Sequence, residues 1–260
     1  MRVLVTFALE TEFAPWRALR EFRPGKWGGV DAFLAEIGNS ELGVVLTGVG
    51  LKHARLKASR AVGYGSEALG FCISSGVAGA LRPQYQVGQV LAARDVICEV
   101  PPEHSTGRLL HSSAPLLAFA EEYGATAVDA FFSSERVIAR LDEKRHLASQ
   151  ADAVEMESFE ILHEAAACGI PAAAIRGVSD IADEELPIDM SEIFTEEGQI
   201  SMARVMAQVA RHPEALPGLL KLRQQTERAA EALAQFLDRY VTSVVERIST
   251  LESKGTATAP

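Results

Sequence analysis

Ala153-Val154-Glu155-Met156-Glu157-Ser158 sets two carboxylates either side of a methionine at the end of a short apolar run. Residues 158–168 then read as a helix, with Phe159, Leu162, Ala165 and Ala166 at helical spacing. A second apolar run, residues 171–178, is almost all small or β-branched and ends on Ser179-Asp180. Strand, acidic turn, helix, strand, acidic turn is an α/β unit with its polar groups at the strand ends. In open α/β sheets that edge is where ligands bind.

Outward from this unit the alternation continues. Residues 2–8 form a strand-length apolar run, and residues 10–19 begin a helix carrying Phe13, Trp16 and Leu19. Residues 31–37 and 42–47 read as strands joined by a Gly38-Asn39-Ser40 turn. Gly48-Val49-Gly50 opens a helix through residue 61, and residues 71–74 make a buried strand followed by a glycine-rich loop at 75–80. Further strands are expected at 89–97 and 126–132, helices at 114–123, 142–149 and 199–211, and a polar loop at 100–112. The expected architecture is a three-layer α/β/α single domain over residues 1–215 with a central mixed sheet. Residues 216–252 form a C-terminal helical extension, either a packing helix or an oligomer contact, and residues 253–260 a disordered tail.

A chain of 260 residues suits one large α/β domain. A net charge of −10 argues against nucleic acid and anionic membranes as partners, since both demand basic patches. Cys72, Cys98 and Cys168 lie in apolar segments without metal-like spacing, which suggests reduced thiols and a reducing compartment. With no leader-like or membrane-spanning apolar run, the expected location is cytoplasmic, with no membrane insertion.

Val154-Glu155-Met156-Glu157-Ser158 followed by Arg176-Gly177-Val178-Ser179-Asp180 resembles the signature pair of the nucleoside phosphorylase/nucleosidase superfamily. It is most similar to the methylthioadenosine/S-adenosylhomocysteine nucleosidase branch. Val3 through Glu12 resembles that branch's opening strand and acidic loop. Ser75-Gly76-Val77-Ala78-Gly79-Ala80-Leu81, followed by Gln86-Val87-Gly88-Gln89-Val90, resembles its glycine-rich loop and next strand. The resemblance spans residues 1–210. Ser134-Glu135-Arg136-Val137 with Glu143-Lys144-Arg145 looks more like the hopanoid-associated phosphorylase-like branch, which acts on an adenosyl group attached to a lipid.

The resemblance implies cleavage of a purine nucleoside, with adenine the expected base, by a homo-oligomer (a dimer favoured) using no metal and no organic cofactor. Such cleavage needs the purine protonated at N7, an oxocarbenium-like sugar stabilised, and a water oriented. Carboxyl groups serve all three needs if their environments push their pKa values apart. Asp180 matches the acid facing the base, with Ser179 beside it; the structural alternative is that either residue caps a helix starting near Ile181. Glu157 matches the carboxylate that takes the ribose hydroxyls, and Met156 would pack on the sugar. Their plainer reading is a core methionine and a first-turn glutamate.

Glu12 matches the residue that positions water, with Glu10 as its rival in the same loop. Glu155 reads as structural, and Arg176, inside an apolar strand, requires an acidic partner. Val77 stands where the branch often carries serine, while Ala78 and Gly79 let the backbone approach the ligand closely. Phe132, or Phe131, is placed to stack on the base, and His104 to touch a 5′ substituent. The acidic loop at 8–12 and the absence of arginine from 74–80 favour water as nucleophile. Lys52-His53-Ala54-Arg55, at a helix N-terminus, is the site a phosphate-dependent phosphorylase would use. A catalytically silent nucleoside-binding protein is the remaining alternative, and the retained carboxylates argue against it.

Overall fold

The computed structural model describes residues 1–63, 68–98, 108–188 and 190–256. His104 and most of its segment therefore lie outside the described residues. The chain opens with β1 (Arg2–Phe7), α1 (Glu10–Leu19), β2 (Arg23–Trp27), β3 (Val30–Ile37), β4 (Ser40–Leu46) and α2 (Leu51–Gly63). The middle holds β5 (Leu69–Ala80), β6 (Val90–Ile97), β7 (Leu109–His111), α3 (Ala114–Glu122), β8 (Thr126–Ser133) and α4 (Leu141–Leu147). It closes with β9 (Ala153–Glu155), α5 (Ser158–Ala167), β10 (Ala172–Asp180), α6 (Met202–Arg211) and α7 (Leu216–Thr256). Among the described residues no helix is long and apolar enough to cross a membrane.

The strands form one mixed sheet. β4, β1, β5 and β10 run parallel, as near-continuous apolar runs must when both faces are covered. β6 pairs antiparallel with β10, β8 lies parallel to β6 and β9, and β9 returns antiparallel against the end of β5. Because β10 also pairs with β5, that half of the sheet closes on itself. Helices α2 and α5 bury Ala54, Ala58, Phe159 and Leu162 in one layer of core. Helices α1, α3 and α7 bury Phe13, Trp16, Leu117, Leu233, Leu237 and Tyr240 in the other. α7 is thus a packing helix. The backbone of Ala229 sits so close to β10 that a Cβ on Gly177 would lie 2.7 Å from its carbonyl oxygen.

The structure adds one strand, corrects one expectation and excludes the helix-cap alternative. Arg23-Pro24-Gly25-Lys26-Trp27 is a strand, although Pro24 and Gly25 argue against one; β2 is the outermost strand, where a missing N–H costs no ladder bond. Its turn, Gly28-Gly29, has φ of 60° and 78°, the left-handed region a tight hairpin needs. Residues 75–80 are not a loop, because β5 runs unbroken through Ala80. Likewise Ser179 and Asp180 belong to β10, and no helix begins at Ile181, so neither residue is a helix cap.

Candidate active site

Four buried carboxylates gather around β5, each held by a different element. Glu12 sits in the first turn of α1, where unpaired backbone N–H groups favour an anion. Its Oε2 accepts from the N–H groups of Ala8 (3.0 Å) and Leu9 (2.9 Å), and its Oε1 from that of Val77 (3.0 Å). Each carboxylate oxygen has two lone pairs, so one acceptor position remains, on Oε1. Glu10 instead faces solvent and pairs with Arg17 at 2.5 Å. This places Glu12, and not Glu10, inside.

Glu157 follows β9 and precedes α5. Its Oε1 accepts from the Gly50 N–H at 2.9 Å, so the amide ahead of α2 serves this carboxylate. Its Oε2 lies 3.7 Å from Arg176 Nη2 and accepts no hydrogen bond from the described residues. Glu155, by contrast, is consumed by the fold. Its Oε2 accepts from Arg176 Nη2 (2.6 Å) and from the N–H groups of Glu157 (3.0 Å) and Ser158 (2.8 Å), while Oε1 takes the Ser133 hydroxyl. Arg176, fully buried, has the acidic partner its strand demanded.

One guanidinium cannot neutralise three neighbouring carboxylates. Burial, then the charge of Glu155, pushes Glu157 up to about 8. Burial also raises Glu12, against the lowering pull of the Val77 and Leu9 amides and of Arg176.

Asp180 ends β10 and is buried. Its Oδ1 accepts from the Ser179 hydroxyl at 2.7 Å and its Oδ2 from Lys144 Nζ at 2.6 Å. One lone pair on each oxygen stays open. The glycines of β5 make room for this set: a Cβ on Gly76 would lie 2.9 Å from Glu12 Oε1, and one on Gly79 2.9 Å from Asp180 Oδ2. Val77 contributes its N–H to Glu12, and the Ala78 carbonyl lies 3.2 Å from Ser179 Oγ.

Two cavities adjoin. Met156, Val49, Gly50 and Phe194 line one of 420 Å³, with Lys52 and His53 at its wall. Phe132, Ile97, Leu109 and Ile138 line the other, of 1020 Å³, and Leu51, Glu135 and Arg136 border both. Met156 and Phe132 thus face separate spaces, Phe131 is wholly core, and Glu12, Glu157 and Asp180 are buried and line neither cavity.

Nothing in the sequence placed Lys144 beside Asp180. It lies in Leu141-Asp142-Glu143-Lys144-Arg145-His146-Leu147, which resembles a solvated charged helix. Yet it shares the inward face with Leu147, three residues on, and is 1% exposed. That spacing was the one available signal. Glu160, His163 and Glu164 bring possible ligand atoms within 4.8 Å of one another, but they form one turn of α5 outside the carboxylate set.

Glu155 and Asp180 end β9 and β10, and Glu12 and Glu157 follow strands of the same mixed sheet, at the edge where α/β proteins commonly bind ligands. Residues 2–211 match the Phosphorylase superfamily, and the chain belongs to that family. Among solved structures it is similar to futalosine hydrolase of Helicobacter pylori, with a TM-score of 0.73 at 19% identity over 94% of this chain and 98% of that one. A 5′-methylthioadenosine/S-adenosylhomocysteine nucleosidase of the same organism gives 0.72 at 19% identity, over 94% and 98%. The corresponding enzyme of Neisseria meningitidis gives 0.69 at 19%, over 93% and 99%. At these identities the likeness is one of fold. A share of 94% includes most of α7, which lies beyond the family match.

Proposed function

We propose that the protein hydrolyses the N-ribosidic bond of a purine nucleoside whose base is adenine. The observation that carries this reading is the set Glu12, Glu157 and Asp180, three buried carboxylates around one strand, each with acceptor positions left open. Asp180 presents two: one oxygen faces N7 and passes it a proton, the other accepts from the 6-amino group. Lys144 Nζ spends its three protons on Asp180, the Ile181 carbonyl (3.0 Å) and the Glu184 carbonyl (2.9 Å), so it has none left for the oxygen of a 6-oxopurine. Glu157 takes the vicinal ribose hydroxyls, and its charge, once formed, stabilises the cationic sugar. Glu12 holds the attacking water on its free Oε1 position, and its raised pKa makes it the better base.

A phosphate-dependent reaction is the second reading, favoured by Lys52 and His53 beside Gly50 and Met156 in one cavity. Against it, the Gly50 amide already serves Glu157, and two carboxylates would repel a phosphate dianion. The test is base release from adenine and hypoxanthine nucleosides by the wild type and Asp180→Asn. The expected result is adenine release that falls by roughly 100-fold or more in the variant. A fully active Asp180→Asn would overturn the assignment.

A further inference from the structure

Asp180 meets a fully buried lysine that the reaction as written does not use. Lys144 Nζ has three protons and three acceptors: Asp180 Oδ2 at 2.6 Å, the Ile181 carbonyl at 3.0 Å and the Glu184 carbonyl at 2.9 Å. The two carbonyls belong to the segment just after β10, which docks on the chain around α4 through the Leu186 N–H to the Ala139 carbonyl. A buried ammonium is tolerated when an anion and hydrogen bonds compensate it. Lys144 and Asp180 therefore form an ion pair in the resting protein, and an ionised Asp180 has no proton of its own for N7.

We propose that Lys144 is the proton source for the departing base, a positioning residue that acts through Asp180; the proposal rests on the nucleosidase reading above. As the C1′–N9 bond breaks, its electron pair stays with the purine and N7 becomes more basic. One proton passes from Lys144 Nζ to the Asp180 carboxyl group and from there to N7, so the base leaves neutral. Lys144 is left as an amine whose two N–H groups stay on the Ile181 and Glu184 carbonyls. Water adds to C1′ and gives its proton to Glu12. Exchange with solvent returns a proton to Lys144 and removes one from Glu12 once the products have left. The 2.6 Å contact between Nζ and Oδ2 gives the proton a direct path between the two side chains.

The test compares wild type, Lys144→Arg and Lys144→Gln on adenosine and on 4-nitrophenyl β-ribofuranoside, whose leaving group departs as a stable anion and needs no acid. Arginine keeps the positive charge beside Asp180 but does not give up a proton, and glutamine keeps a donor with no proton to lose. The expected result is a kcat on adenosine lowered by roughly 100-fold or more in both variants, with nitrophenyl riboside cleavage within about threefold of wild type. Cleavage of the nitrophenyl substrate also reports folding, so Lys144→Gln carries the comparison if Lys144→Arg does not fold. Undiminished adenosine turnover in Lys144→Arg overturns the proposal, because charge alone would then suffice. Equal losses on both substrates overturn it too, since Lys144 would only shape the site. If the wild type released no base from any nucleoside tested, the nucleosidase reading itself would fall and the proposal with it.

Discussion

Glu157 shows how a single residue links stability to chemistry. Its carboxyl is pushed from 4.5 to about 8 by burial and by Glu155. Between those values the folded chain holds a proton that the unfolded chain has lost, so this group makes stability fall as pH rises through that window. Glu12, also raised by burial, acts with the same sign. Glu157→Gln is expected to flatten the decline of Tm between pH 5 and 8 and to raise Tm at pH 8, read by thermal unfolding across pH. A variant with an unchanged pH dependence would show that Glu157 is already ionised in the free protein. The two motifs made Glu155, Glu157 and Asp180 legible in the sequence, because their carboxylates fall at strand ends. Which glutamate would be consumed by Arg176 depended on a strand pairing that spacing alone does not show. Lys144 was hidden among charges, since a helix with five ionisable residues in a row reads as solvated.

At the scale of elements, β5 is where the sequence was hardest to read. Ser75-Gly76-Val77-Ala78-Gly79-Ala80 looks like a loop because glycine weakens strands. Here the glycines leave room for the Glu12 and Asp180 side chains, while β10 supplies ladder partners up to Gly79 and β9 pairs with Gly79 and Ala80. Composition reported the crowding but not its cause. Gly79→Ala places a methyl group 2.9 Å from Asp180 Oδ2, so the carboxylate must move off Lys144. The expected outcome is a large loss of kcat with a stability cost of about 1–3 kcal/mol, measured by steady-state kinetics and denaturant unfolding. A variant with full kcat would show that the position of Asp180 is not critical. That Glu155 and Asp180 would end strands was legible from the start, because each closes a short apolar run. β2 was not, because a proline is permitted only at an edge that sequence does not reveal.

For the whole molecule, α7 covers the sheet face that α1 and α3 leave open, and it meets β10 at Gly177, three residues before Asp180. Leu233, Leu237 and Tyr240 form its buried stripe. Leu237→Ala should destabilise the protein by roughly 2–5 kcal/mol while leaving kcat unchanged well below Tm, because none of the hydrogen bonds that hold Glu12, Glu157 and Asp180 comes from α7. A kcat that falls in step with stability would mean instead that α7 sets the position of β10. The central claim, hydrolysis by a carboxylate-lined site, is tested most directly by tracing the incoming oxygen. Adenosine would be incubated with the protein in ¹⁸O-labelled water containing phosphate, and the sugar product examined by mass spectrometry after brief reaction. The account predicts free ribose carrying one ¹⁸O from solvent at C1, at a rate independent of phosphate. Ribose 1-phosphate, formed only when phosphate is present, would contradict it and assign the nucleophile to an anion held near Lys52 and His53.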